Sequence, residues 1–188
     1  ADVTDAADQP KVDTNAAKAI QIPEPKETAP EQKIPEFWPE LDGEKVYWET
    51  CATFSGSWGY YRDENTWKTN HELISMIIET TSKGGNLLLN VGPTARGSFD
   101  YRAENALEKI GTWMKANGRS IYQCTQAPES WKAPKGSMIT YNPKKNRLYI
   151  HITDYKTGWL KLDNAVGKIK YAQFLHDNSE IKFQNLSL

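Results

Sequence analysis

The 188-residue chain reads as a parallel α/β segment followed by an antiparallel β-domain, and three observations carry that reading. The first is "SKGGNLLLNVGP", residues 82–93, where a Gly pair runs into the continuous apolar strand Asn86–Val91. A strand apolar on both faces belongs in a parallel sheet covered by helices, because neither face meets water. The second is the pair of amphipathic patterns around it: Leu73, Ile74, Ile77 and Ile78 before, and Leu107, Ile110 and Met114 after. The third is the change of texture beyond Gly118, into short, partly alternating runs separated by turn residues.

Taken in order, residues 1–29 are rich in Ala, Asp, Pro, Lys and Thr and read as a linker or disordered segment. Between Pro30 and Asp42, Pro35 and Pro39 discourage regular structure, while Phe37 and Trp38 predict an ordered loop lying on something. "KVYWET", 45–50, predicts a short strand, and a long loop follows it. Thr69 and Glu72 stand at capping-box spacing and start a helix, which Gly84-Gly85 end in the left-handed conformation that glycine tolerates. A second helix near 101–116 stops at Asn117-Gly118. The β-runs are "SIYQCT", "GSMITYN", "NRLYIHITD", "TGWLKLD", "KIKYAQFL" and "SEIKFQNL". In the third of them Leu148, Ile150 and Ile152 face one way, Tyr149 and His151 the other. Boundaries at 30–118 for the α/β part and 119–188 for a β-sandwich follow.

Bulk properties narrow the function. A formal charge of -1 and scattered Lys and Arg argue against nucleic acid or an anionic membrane as the main partner. No apolar run reaches membrane-span length, and no signal-peptide core is visible. Cys51 and Cys124 make no disulfide scaffold, and His71, His151 and His176 are too widely spaced for a metal site, so no cofactor is expected. Seven Trp with nine Tyr suit packing, and they also suit the apolar faces of sugars. Ligands of parallel sheets lie beyond the carboxyl ends of the strands. The reading puts Glu49, Thr50 and Cys51 at one such end, and Asn90 and Gly92 at the other.

Four segments then carry a resemblance: "APEQKIP", "VYWETCATFSGSWGYYRDENTWK", "ELISMIIETTSKGGNLLLNVGPTARG" and "IGTWMKANGRSIY". In order and spacing they resemble the carboxyl-terminal part of the α-L-fucosidases, retaining glycoside hydrolase family 29, over roughly residues 28–185. The resemblance implies the last βα units of an incomplete (β/α)8 TIM-like barrel, then the family's antiparallel β-sandwich. It implies hydrolysis of terminal α-linked L-fucose from glycans with retention, through a carboxylate nucleophile and a second acid/base carboxyl. It also implies a periplasmic or secreted enzyme acting on a fucosylated glycan.

Position by position, Glu31 falls where many bacterial members carry the acid/base Glu, the alternative being a solvated loop carboxylate, with Glu36 as the nearest substitute. Trp58 corresponds to the aromatic that faces the fucose methyl, or else serves as a lid on the barrel end. Tyr60 joins it in substrate binding, and Glu49 either binds substrate or bonds loop amides. Asn90 and Gly92 shape the strand exit, and His71 is a surface residue. Departures from the family pattern set the expectations for activity. No Asp in a strand-like context precedes Glu31, no Arg precedes Arg62, and Arg119 stands where the family has Glu. The nucleophile is therefore expected outside this chain, which is expected to be an inactive fragment when alone. Two other readings stay open. One is a non-catalytic fucose-binding module using Trp58, Tyr60, Trp131 and Trp159. The other is a structural partner, in which a second chain or a missing N-terminal region completes the barrel.

Overall fold

The computed structural model describes residues 33–154 and 158–185. The linker expected at 1–29 and the acid/base candidate Glu31 lie outside the described residues.

Residues 33–39 have no regular structure, and the chain then forms a small hairpin of β1 (Glu40–Leu41) and β2 (Glu44–Lys45). Asp42 and Gly43 turn it, both at positive φ, the backbone that a two-residue hairpin requires and that Asp-Gly supplies. That dipeptide is a hairpin signal in the sequence, and it places Lys45 in the hairpin and not in the strand expected over 45–50. The strand itself lies later: β3 is Glu49–Thr53. Its partner β4, Asn86–Asn90, runs parallel to it, with Thr50 opposite Leu87 and Ala52 opposite Leu89. The expected parallel pairing therefore holds.

Helix α1 (Asn70–Ser82) joins these strands. Its capping box is present: the Thr69 hydroxyl accepts from the Glu72 amide at 3.2 Å, and the Glu72 carboxylate accepts from the Thr69 amide at 2.7 Å. At the other end Gly85 donates to Thr80 O and Gly84 to Thr81 O, the paired bonds of a Schellman ending. Gly84 takes the left-handed conformation, φ +78. Gly85 does not, and it is required for another reason. A Cβ there would collide with the Trp48 indole, whose Nε1 donates to Lys83 O. A Cβ on Gly84 would collide in the same way with Trp38. The glycine pair is thus a seat for two indoles, and Trp38 is what packs the Pro-containing loop down. Phe37 remains exposed.

Helix α2 spans Tyr101–Asn117. Asp100 caps its start by accepting from the Arg102 amide. The core gathers Phe54, Leu73, Ala106 and Ile110, with Trp67, Ile74, Ile77, Leu89, Val91 and Met114 packed against it. Of the residues expected on the buried face, Ile110 is buried and Leu107 is 40% exposed; Ala103 and Ala106 are buried beside Ile110. Two small residues let the helix approach α1 more closely than a leucine would. On β4 the alternation puts Leu87 and Leu89 on one side, with Thr50 and Ala52 of β3. Leu88 lies on the other side, 51% exposed, so among the described residues this strand is covered on one face only.

Past α2 the chain turns through a 3-10 segment, Gly118–Ser120, with Gly118 still right-handed. A three-stranded antiparallel sheet follows: β5 (Thr125–Gln126), β6 (Ser137–Asn142) and β7 (Arg147–Ile152). The expected strand "SIYQCT" is mostly this 3-10 turn and its exit. On the face opposite Leu148, Ile150 and Ile152, His151 packs against the helical layer. His151 lies 6.4 Å from the Trp113 ring and bonds Thr140, and Thr140 donates to Ser120 O at 2.6 Å. The sheet leans on α1 through β5 and β6, and its polar residues Thr140 and Asn142 are buried, as is Ile139 on the opposite face. Among residues 158–185 the expected further strands are absent, and a lone antiparallel bridge joins Gln173 to Glu180. Beyond α2 the described residues thus hold one antiparallel sheet, where two facing sheets were expected. The runs after β7 leave Trp159 and Tyr171 exposed, without a neighbouring strand to bond them.

Candidate functional site

The parallel pair β3–β4 gives the molecule a direction, and its carboxyl ends lead into two loops that meet. From β3 the chain enters residues 54–68, an excursion whose ends are tied together: Lys68 N donates to Phe54 O at 2.8 Å. From β4 it passes through Val91 and Gly92. At Gly92 a Cβ would lie 2.5 Å from the Gly59 carbonyl carbon, so only glycine admits the neighbouring loop. The Asn90 amide donates to Trp58 O at 2.6 Å. Asn90 and Gly92 thus shape the strand exit, as the sequence led one to expect, and what they shape is the position of the Trp58 loop.

Trp58 and Tyr60 stand on that loop, 39% and 40% exposed. Beneath them is a cleft lined by Phe54, Tyr60, Glu64, Trp67, Asn90 and Gly92, with room for about one water molecule. It is too small for a sugar ring. Trp58 does not line this cleft and is exposed beside it.

The other candidates separate. Glu49 was expected at the carboxyl end of its strand; it opens β3, opposite Asn86. Thr53 lies four residues further along the strand, about 13 Å at strand rise. The regular ladder of β3 begins at Glu49, while Trp48 before it still accepts from the Asn86 amide at 3.0 Å and lays its indole on Gly85. Glu36 is exposed in the loop before β1, and His71 is exposed in the first turn of α1. Cys51 and Cys124 form no disulfide. Among the described residues, no cluster of His, Cys, Asp or Glu is arranged to hold a metal ion, and no helix is long and apolar enough to cross a membrane.

Sequence reasoning missed the residues that build the loop. The Glu64 carboxylate accepts from the Ser57 hydroxyl, the Thr66 hydroxyl (2.6 Å) and the Thr66 amide (2.8 Å). Burial pushes its pKa up, but the bonds from Ser57 and Thr66 outweigh that and hold it at about 2. It is an ionised acceptor at any ordinary pH. The Glu64 carbonyl accepts from Arg102 Nη1 at 2.9 Å and from Trp67 Nε1 at 3.2 Å. Arg102 lies over the Trp67 ring at 4.6 Å and is paired with Asp100 at 2.8 Å. Only Asp100 gave a signal in the sequence, as a cap residue before a helix. Arg119, in place of the family's Glu, donates to Leu175 O and to Asn178 Oδ1, both at 3.0 Å, and ties the 3-10 turn to the chain's last segment.

Comparison with known proteins agrees with this geometry. The family model for alpha-L-fucosidase matches residues 7–119. An alpha-L-fucosidase of Dictyostelium discoideum is 40% identical over 129 residues, 65% of this chain and 27% of that protein. The rat (Rattus norvegicus) plasma alpha-L-fucosidase is 34% identical over 131 residues, 65% of this chain and 28% of that protein. Among solved structures, alpha-L-fucosidase isoenzyme 1 of Paenibacillus thiaminolyticus superposes with a TM-score of 0.76 at 37% identity, over 82% of this chain and 36% of that one. A Bacteroides thetaiotaomicron alpha-L-fucosidase, trapped as a covalent intermediate with 2-fluoro-fucosyl fluoride, superposes with a TM-score of 0.70 at 25% identity, over 83% of this chain and 36% of that one. The chain therefore spans little more than a quarter of these curated relatives and about a third of these structures. Motifs, parallel strand pair and superposition lead to one conclusion: this chain belongs to the alpha-L-fucosidase family.

Proposed function

We propose that this chain forms the aromatic side of an α-L-fucosidase active site that hydrolyses terminal α-linked L-fucose from glycans with retention. The observation that supports this best is the parallel pair β3–β4 delivering Trp58 and Tyr60 to one point beyond its carboxyl ends. L-Fucose is a 6-deoxy sugar, and an indole offers apolar surface where other hexoses carry a hydroxyl. In this reading β3, α1, β4 and α2 are the closing βα units of a (β/α)8 barrel. The half-covered β4, with Leu88 open, is the face the other strands complete, supplied by a region upstream or by a partner chain. Residues 30–118 then form the barrel portion and 119–188 the β-sandwich domain, in contact where His151 of the second lies beside Trp113 of the first.

Retention requires two carboxyls about 5–5.5 Å apart across the scissile bond. Glu31 is the acid/base this chain offers, and the nucleophile Asp comes from the part of the barrel it does not contain. Glu64 is not a substitute, because a general acid must hold a proton near working pH and this carboxyl stays ionised down to about 2. Nor does Glu49 touch the sugar, since it opens its strand at the opposite end from Trp58. A periplasmic or secreted setting follows from glycans as substrates.

The test is turnover of an aryl α-L-fucoside. The chain alone is expected to show none, and adding the upstream barrel is expected to restore it; a Glu31→Gln variant of that active form should then lose most activity. Absence of fucosidase activity in the completed form overturns the proposal. The exposure of Trp58 and Tyr60 also favours a second reading, a non-catalytic fucose-binding module. That reading requires the chain alone to bind fucose in calorimetry and to lose binding in Trp58→Ala.

A further inference from the structure

The geometry points to Glu64 as a positioning residue that fixes Trp58 through Ser57 and so sets discrimination at the sixth carbon of the sugar. The inference rests on the fucosidase reading for its last step only.

Trp58 is gripped from both sides. Its carbonyl accepts from Asn90, and its neighbour Ser57 donates its hydroxyl to Glu64. The far side of that carboxylate is bonded twice by Thr66, whose hydroxyl also accepts from the Gly56 amide at 2.8 Å. Residues 56 and 57 are therefore tied to 64 and 66 across the loop. Glu64 is in turn immobilised through its backbone, where Arg102 holds its carbonyl to the start of α2 and Trp67 bonds the same oxygen. The grip thus runs from a helix terminus through one carboxylate to the residue before Trp58. An indole facing a methyl rejects a hydroxymethyl only while it cannot retreat. Loosening the loop gives the larger, wetter substituent room.

Two measurements test this. In the chain labelled with 5-fluorotryptophan, the Trp58 resonance is assigned by its loss in Trp58→Phe. Glu64→Ala and Ser57→Ala are expected to shift or broaden that resonance while those of Trp113 and Trp159 stay. In the catalytically active polypeptide that carries this sequence, the kcat/KM ratio of an aryl α-L-fucoside to the aryl α-L-galactoside, its 6-hydroxy analogue, should fall by about ten-fold in both variants. Ser57→Ala removes a single hydroxyl and guards against Glu64→Ala failing to fold. An unmoved Trp58 resonance in a folded Ser57→Ala overturns the positioning role. A moved resonance with an unchanged ratio overturns the link to selectivity. A parent protein that turns over neither substrate overturns the fucosidase reading, and the resonance arm still decides the positioning role.

Discussion

Gly92 and Tyr60 meet backbone to backbone: a Cβ on Gly92 would strike the Tyr60 nitrogen and the Gly59 carbonyl carbon. Two loops from neighbouring parallel strands are thereby pressed together where the strands end. Gly92→Ala must push the Trp58 loop away or strain its own strand exit. It is expected to cost about 1–3 kcal/mol of stability by overpacking. It should weaken fucose affinity as well, read by calorimetry beside thermal unfolding in the sugar-binding form. An alanine that leaves both unchanged would show that the loops do not need this contact.

The same argument separates two other glycines. Gly85 faces the Trp48 indole, and Gly85→Ala should destabilise by about 1–3 kcal/mol. Gly111 lies exposed inside α2 with open space around its Cα. There an alanine should stabilise by about 0.5–1 kcal/mol, since glycine mid-helix costs that much in backbone entropy. Opposite signs in denaturant unfolding are the expected outcome.

Asn90 holds Trp58 by its amide. Asn90→Asp replaces that donor by a carboxylate facing a carbonyl oxygen. A loss of about 1 kcal/mol, the net worth of one such bond, is expected in urea unfolding. The Trp58 fluorine resonance should broaden with it.

His151 provides a pH signature. Burial lowers its pKa from 6.5 to about 4. Thr140 gives its one hydroxyl proton to Ser120 O, so it accepts from His151 Nε2–H, and the ring is held neutral in that tautomer. The unfolded chain binds a proton at pH 6.5 and the folded chain does so only near 4. The stability from this neutral ring is whole above 6.5 and is lost as pH falls through about 4, on the order of 3 kcal/mol in all. Against wild type, His151→Asn should flatten the unfolding midpoint between pH 6.5 and 4.5, above the range where carboxylates titrate. Parallel pH profiles for the two proteins would contradict this.

Which parts were legible in the chain follows from the range of the forces involved. The capping box at Thr69 and Glu72, the Gly84-Gly85 stop and the apolar run at Asn86 are local, so the sequence alone determined α1, the parallel character of β4 and, by the order of its motifs, the family. Tertiary packing decided the rest. Trp48 keeps its carbonyl on the Asn86 amide while its indole sits on Gly85, and Glu49 falls at the strand's start, a placement no propensity contains. Ala103 and Ala106, rather than Leu107, face the core because helix–helix approach favours small residues. Glu64 became an anchor through hydrogen bonds from Ser57 and Thr66, and Arg102 reaches it across 38 residues. Periodicity records which way a side chain faces; only the folded chain determines which group it meets there.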